Sequence, residues 1–283
     1  MADINGTLKT LGGGIVGLIP NVGAFAASVF SLLWPDTPID YWEQVKDQVY
    51  AAIKKSLNDA KVEQLKDLLE GTKDNFQEYV STTDLEEKKT RCVALDVVLT
   101  ELKHQFMDDS LESVVYFVQY AVLHISVNID ILLFYDDDKN RQDLINLINE
   151  YSTYANKMKP KLVQNRLGQI DTQCHLEPDH PLVIKHSLKE SIGSGWSLKV
   201  KITSYGVAQD YNTGKDLKFA AYMISMVYYG GAPVNEEIPG GKDECMRQLQ
   251  EYRAKIEEES NAHWQENLID PIDVLKNAKV LES

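Results

Sequence analysis

Residues with chemical potential occur at several places along the chain. Cys174, His175, Asp179 and His180 crowd one stretch and supply thiolate, imidazole and carboxylate, the usual ligands of zinc. Their spacing matches no standard zinc site, so the stretch reads as a polar loop. Gly193-Ser194-Gly195-Trp196-Ser197 sets serine between glycines, but the order is not Gly-x-Ser-x-Gly, and no sheet of the kind a nucleophile elbow needs precedes it. Gly12-Gly13-Gly14-Ile15-Val16-Gly17 has the spacing of a dinucleotide-binding loop. That loop must join a strand to a helix, and the few residues before it and Pro20 after it leave room for neither. The chain therefore reads as a non-enzyme with no cofactor and no metal.

A row of polar residues inside the most apolar stretch is more informative. From Leu111 to Tyr135, apolar side chains such as Phe117 and Val122 cover every side of a helix, the pattern of a helix surrounded by protein or lipid. At about 1.5 Å per residue the stretch makes a rod of roughly 37 Å, longer than a hydrocarbon core of about 30 Å. Yet Gln119, His124, Ser126, Asn128 and Asp130 recur within it. An unpaired Asp facing lipid would be disfavoured by several kcal/mol. The stretch thus suits two environments. His124 has two readings: a core histidine bonded to a neighbouring helix, or a pH sensor.

Composition sets bounds on these readings. With 283 residues, 43% of them hydrophobic, the chain can bury one large or two modest cores. Forty-three acids against 29 bases give a net charge of −14, and no basic cluster offsets it, so nucleic acid is not an expected partner. Cys92, Cys174 and Cys245 are odd in number and far apart. A disulfide framework is not suggested, and at least one thiol should be unpaired. The apolar segment 11–33 imitates a signal peptide, but Asp3, the single Lys9 and Pro20-Asn21 fit one poorly. The expectation is a protein made in soluble form without a convincing signal peptide.

The elements around the apolar stretch are mostly helical. A short buried helix is expected before Trp34-Pro35, and a second over 41–57 with Trp42, Val45, Val49 and Ile53 on one face. A third spans 58–80, weakened but not ended by Gly71. Ser81 to Asp84 offers N-caps for an amphipathic helix over 85–107, with Glu86 and Glu87 suited to its dipole. Asp108-Asp109-Ser110 is short enough to fold that helix back against the apolar one as a hairpin. No Lys or Arg occurs between Lys103 and Lys139, so the tip reads as purely acidic. A long helix follows, ended or kinked by Pro160. From about 169 the pattern changes: alternation at Trp196, Leu198, Val200 and Ile202, turn residues at 210–214 and an apolar run over 218–229 suggest a β-hairpin, with 182–188 as a third strand and 233–241 as loop. Residues 242–268 return to helix, with Glu257 to Glu259 as a solvated face. The expected fold is mainly α: a seven-helix-type bundle around a central apolar helix (1–168), a small β-rich insertion (169–241), and C-terminal helices (242–283) packing on the bundle.

Some of these stretches carry a resemblance. Residues 17–38 (GLIPNVGAFAASVFSLLWPDTP), followed by WEQVKDQV at 42–49, resemble the start of the pore-forming domain of insecticidal δ-endotoxins of the Cry type. They look closer still to the B component of the Pir binary toxins. VQYAVLHISVNIDIL at 118–132 resembles that family's central fifth helix, including Leu123, His124 and Ser126, and INEYSTYANK at 148–157 is similar to its sixth. The resemblance covers residues 12–164. It implies a soluble bundle whose hairpin, about 85–135, inserts into a target-cell membrane and assembles into a cation pore acting extracellularly. A second toxin component, or further copies of the chain, are the partners it implies.

On that reading the insertion and pore residues are Asp96, Thr100 and Lys103 facing a lumen, Asp108 and Asp109 at the tip, and Phe117, Gln119, Val122, His124, Ser126, Asn128 and Asp130 on the central helix. Only about 110 residues follow the bundle, too few for the family's receptor-binding β domains. The alternative is therefore a soluble relative, non-toxic or defence-related, that binds a hydrophobic ligand or a partner subunit.

Overall fold

The computed structural model describes residues 22–35, 41–53, 57–173, 175–178, 197–229, 232–237 and 241–277. The glycine-rich segment 12–17, Cys174, Asp179 and His180, and the segments 182–188 and 193–196 lie outside them. The described chain is mainly helical with one small antiparallel sheet. It divides into two compact units, Met1–Gln164 with Ser260–Ser283, and Asn165–Glu259. Residues 241–259 of the helix that begins at Gly241 belong to the second unit.

The helices are α1 (Ala24–Leu33), α2 (Tyr41–Ile53), α3 (Asp59–Glu70), α4 (Lys73–Ser81), α5 (Leu85–Phe106), α6 (Val114–Tyr135), α7 (Asp138–Gly168), α8 (Gly241–Trp264) and α9 (Asp270–Asp273). In the first unit they bury the stripes read from the sequence. Trp42, Val45, Val49 and Ile53 are buried on α2, and Leu95, Leu99 and Phe106 on α5. On α6, every residue from Val114 to Val127 and from Ile129 to Leu132 is buried. Helices α1, α2, α3, α5 and α9 all contact it.

Two aromatic clusters brace this centre. Trp34 packs on Phe30, Trp42 and Phe76 with ring centroids 5.1, 5.8 and 6.1 Å away. Phe106 stacks on Tyr120 at 4.6 Å, and Phe117 meets Tyr151 and Tyr154 from α7. Each such pair adds about 0.5–1.5 kcal/mol beyond the area it buries.

Three local expectations are corrected. The helix read over 58–80 is two helices: the Gly71 N–H still bonds Asp67, but the buried Thr72 turns its hydroxyl onto the Leu69 carbonyl at 2.7 Å and a new helix starts. The break aims Phe76 and Tyr79 into the core, where both are fully buried. Pro160 does not end α7, which runs on to Gly168 and buries Met158, Leu162 and Val163 around it; this burial offsets the lost hydrogen bond. The connection between α5 and α6 spans residues 107–113 rather than three. Ser113 fastens it, bonding the Ser110 carbonyl at 2.7 Å and the Tyr154 hydroxyl at 2.6 Å.

The second unit holds the sheet, with strands β1 (His175–Pro178), β2 (Ser197–Asp210), β3 (Lys215–Tyr229) and β4 (Ala232–Glu237) in that order, all antiparallel. β2 and β3 form the expected hairpin, whose turn ends on Gly214 at φ +65°. β1 and β4 form where the sequence predicts loop. Arg166 grips Asp210 through two bonds of 3.0 and 2.7 Å, and Tyr252 bonds the same carboxylate at 2.7 Å. Burial opposes charge on Asp210, but these partners outweigh it and hold its carboxyl below the ordinary range. Cys245 is disulfide-bonded, and Cys92 is a free, buried thiol, the unpaired one that an odd count of three requires.

Candidate functional site

The polar residues of α6 form two separate seams with its neighbours. His124 centres the first. Its Nε2 lies 3.0 Å from Asp96 on α5 and 3.5 Å from the Thr100 hydroxyl, and its Nδ1 lies 2.5 Å from the Tyr151 hydroxyl on α7 and 3.3 Å from that of Tyr120. A carboxylate only accepts, so Nε2 carries the hydrogen toward Asp96. Asn128 donates to the same Asp96 oxygen at 2.6 Å. Burial pushes the Asp96 carboxyl up, yet the bonds from His124 and Asn128 outweigh it and hold it below its ordinary value. The side chain of Asp96 keeps 30% of its surface in solvent, against 2% for His124.

Asp130 forms the second seam. It is 0% exposed, accepts from the Gly23 N–H ahead of α1 at 2.8 Å, and accepts from the Tyr79 hydroxyl on α4 at 2.6 Å. Burial pushes its carboxyl up to about 6, against the Tyr79 and Gly23 bonds and the Lys88 charge. The Cys92 thiol, pushed up by burial and by Asp130, lies 3.5 Å from the Val127 carbonyl.

The tip is not purely acidic in space. Asp108 pairs with Lys61 of α3 and accepts from the Ser110 hydroxyl at 2.6 Å. Burial opposes charge there too, but Lys61 and Ser110 prevail and hold the carboxyl low. Asp109 meets Lys157 and Lys161 of α7 at 2.5 and 3.4 Å, which lower it as well.

The structure thus brings Asp96, Thr100, His124 and Asn128 together, with Asp96 and Thr100 turned onto α6. Lys103 stands apart, bonded to Glu150 at 2.9 Å. Phe117, Gln119 and Val122 are buried, and the Ser126 hydroxyl bonds the Leu123 carbonyl at 2.7 Å. Gly23, Lys61, Tyr79, Tyr120 and Tyr151 went unrecognised in the sequence. Apart from His124, four residues from Tyr120, their partners are distant along the chain, so no local pattern marks them. Among the described residues no group of three or more His, Cys, Asp or Glu side chains could hold a metal ion.

A surface groove of about 180 Å³ is lined by Asn75, Arg91, Ala94, Leu95 and Val98. It falls short of the roughly 300 Å³ at which small-molecule pockets begin.

No model of a known protein family matches the chain, and no curated protein sequence matches it either.

Proposed function

We propose that the chain is a pore-forming, toxin-like protein of δ-endotoxin type, whose α5–α6 hairpin leaves a closed bundle, enters a membrane and oligomerises into a cation pore. The observation that carries this reading is α6 itself. It has 22 residues, is long and apolar enough to cross a membrane, and is joined through seven residues to α5, also of 22. Each is about 33 Å long, matching a hydrocarbon core of about 30 Å. The closed form shields α6 on every side, as a protein that must stay in water before meeting a membrane requires. The sequence resemblance at 17–49 and 118–157 points the same way. Insertion must neutralise or solvate Asp108, Asp109 and Asp130, each disfavoured in lipid by about 2.5–3.5 kcal/mol.

Dye release from neutral and anionic vesicles across pH 5 to 10, with and without limited proteolysis, tests the reading. The folded protein should release dye, and Val122→Arg should abolish release. No release under any condition would overturn it in favour of a soluble binding protein. The observation favouring that second reading is that the polar groups of His124, Asn128 and Asp130 already have partners inside the bundle.

A further inference from the structure

Asp130 holds two of the helices that an emerging α5–α6 pair would have to leave behind. Its Oδ1 accepts from the Gly23 N–H before α1, and its Oδ2 from Tyr79 near the end of α4. Gly23 sits at φ +82°, and a Cβ there would come within 2.8 Å of the Lys88 side chain, so this close approach of the backbone suits glycine. The titratable and charged groups facing the carboxyl are Tyr79 from α4, and the Cys92 thiol and Lys88 ammonium from α5. Burial, reinforced by Asp130, pushes Tyr79 and Cys92 well up, so both stay protonated at ordinary pH. Helix α5, by contrast, is held on α6 by the separate seam of Asp96, His124 and Asn128.

We propose that Asp130 is a charge-gated latch: with its carboxyl neutral, α1 and α4 stay closed on α6, and its ionisation frees those two helices together while the Asp96 seam keeps α5 paired with α6. A carboxylate sealed from water keeps only two donors in place of its hydration shell, and opening restores that shell. Because burial raises this group to about 6, above the roughly 4 of an exposed Asp, the closed form binds the proton more tightly than the open one. The latch weakens as pH rises through about 6. An ionised Asp130 is disfavoured in the closed core and in lipid alike, and a water-filled lumen would solvate it. Only this last step rests on the pore reading; the latch itself does not.

Hydrogen exchange of the full chain in membrane-free buffer from pH 5 to 8, corrected for intrinsic rates, reads the latch. The opening constant over α1 and α4 should rise by about 10-fold across that range, with α5 and α6 rising far less. Asp130→Asn should abolish that pH dependence, and Tyr79→Phe, which removes one donor to the carboxylate, should move the transition to higher pH. The latch is overturned if α1 and α4 ignore pH, if α5 opens along with them, or if Asp130→Asn keeps the wild-type profile. Should Asp130→Asn not fold, an unmoved transition in Tyr79→Phe overturns it equally. Latch behaviour without vesicle leakage would count against the pore reading alone.

Discussion

Asp96 and Asp130 both lie in the α5–α6 pair and each takes two hydrogen bonds, yet one carboxyl is held below its ordinary value and the other is pushed up to about 6. The number of donors does not separate them. Access to water does: Asp96 keeps 30% of its side chain in solvent, whereas Asp130 has none. Their partners differ too: two side chains, His124 and Asn128, donate to Asp96, while the donors to Asp130 are one hydroxyl and a backbone N–H. A half-wet acid therefore strengthens the pair in its charged form, and a dry one strengthens the bundle in its neutral form.

The sharpest break in that comparison is Asp130→Ala. It leaves the Gly23 N–H and the Tyr79 hydroxyl buried without their acceptor, and should cost about 3–4 kcal/mol of unfolding free energy at pH 5, read from urea denaturation. Next comes wild-type stability against pH. The folded value of Asp130 lies above its unfolded one, so its contribution is present in full below about pH 4 and is lost as pH rises through about 6, by up to about 3 kcal/mol. Asp130→Asn should flatten that limb.

His124→Ala should cost about 2–3 kcal/mol, since it removes a buried ring from between Asp96 and Tyr151. Asp96→Asn should cost about 1 kcal/mol at pH 6. Its depressed folded value puts its contribution above the unfolded pKa, to be lost as pH falls through the folded one. This variant should therefore soften the acid limb of a thermal-melting profile and leave the neutral limb intact. The smallest effect belongs to Lys61→Met at the half-exposed tip pair, about 0.5–1 kcal/mol and weaker in high salt.

What the sequence revealed and what it hid divide along the same physical line. Periodicity made the stripe of α2 and the all-round burial of α6 legible, because helical geometry alone decides which residues share a face. Asp84 was among the residues read as caps, and it accepts from the Glu87 N–H at 2.8 Å; a cap lies within four residues of its partner. The helix break at Thr72 depended on drawing Phe76 and Tyr79 inward, and the passage through Pro160 on burial around it, so tertiary packing overrode local propensity in both. β1 and β4 needed the hairpin as a template, and nothing in their own residues declared it. In the candidate site, the polar row of α6 was visible as a list. Which member met water, and which met Gly23 from 107 residues away, required the fold.

The central claim is that the α5–α6 hairpin enters a membrane, and the tip reports on it most directly. Asp109 is 63% exposed at the side chain, so Asp109→Cys labelled with an environment-sensitive fluorophore leaves the bundle core untouched. Mixed with vesicles that release dye, the label should shift its emission to the blue and resist aqueous quenchers, in step with release. Emission that stays aqueous while dye escapes would show that the membrane is breached without this hairpin, and would contradict the account.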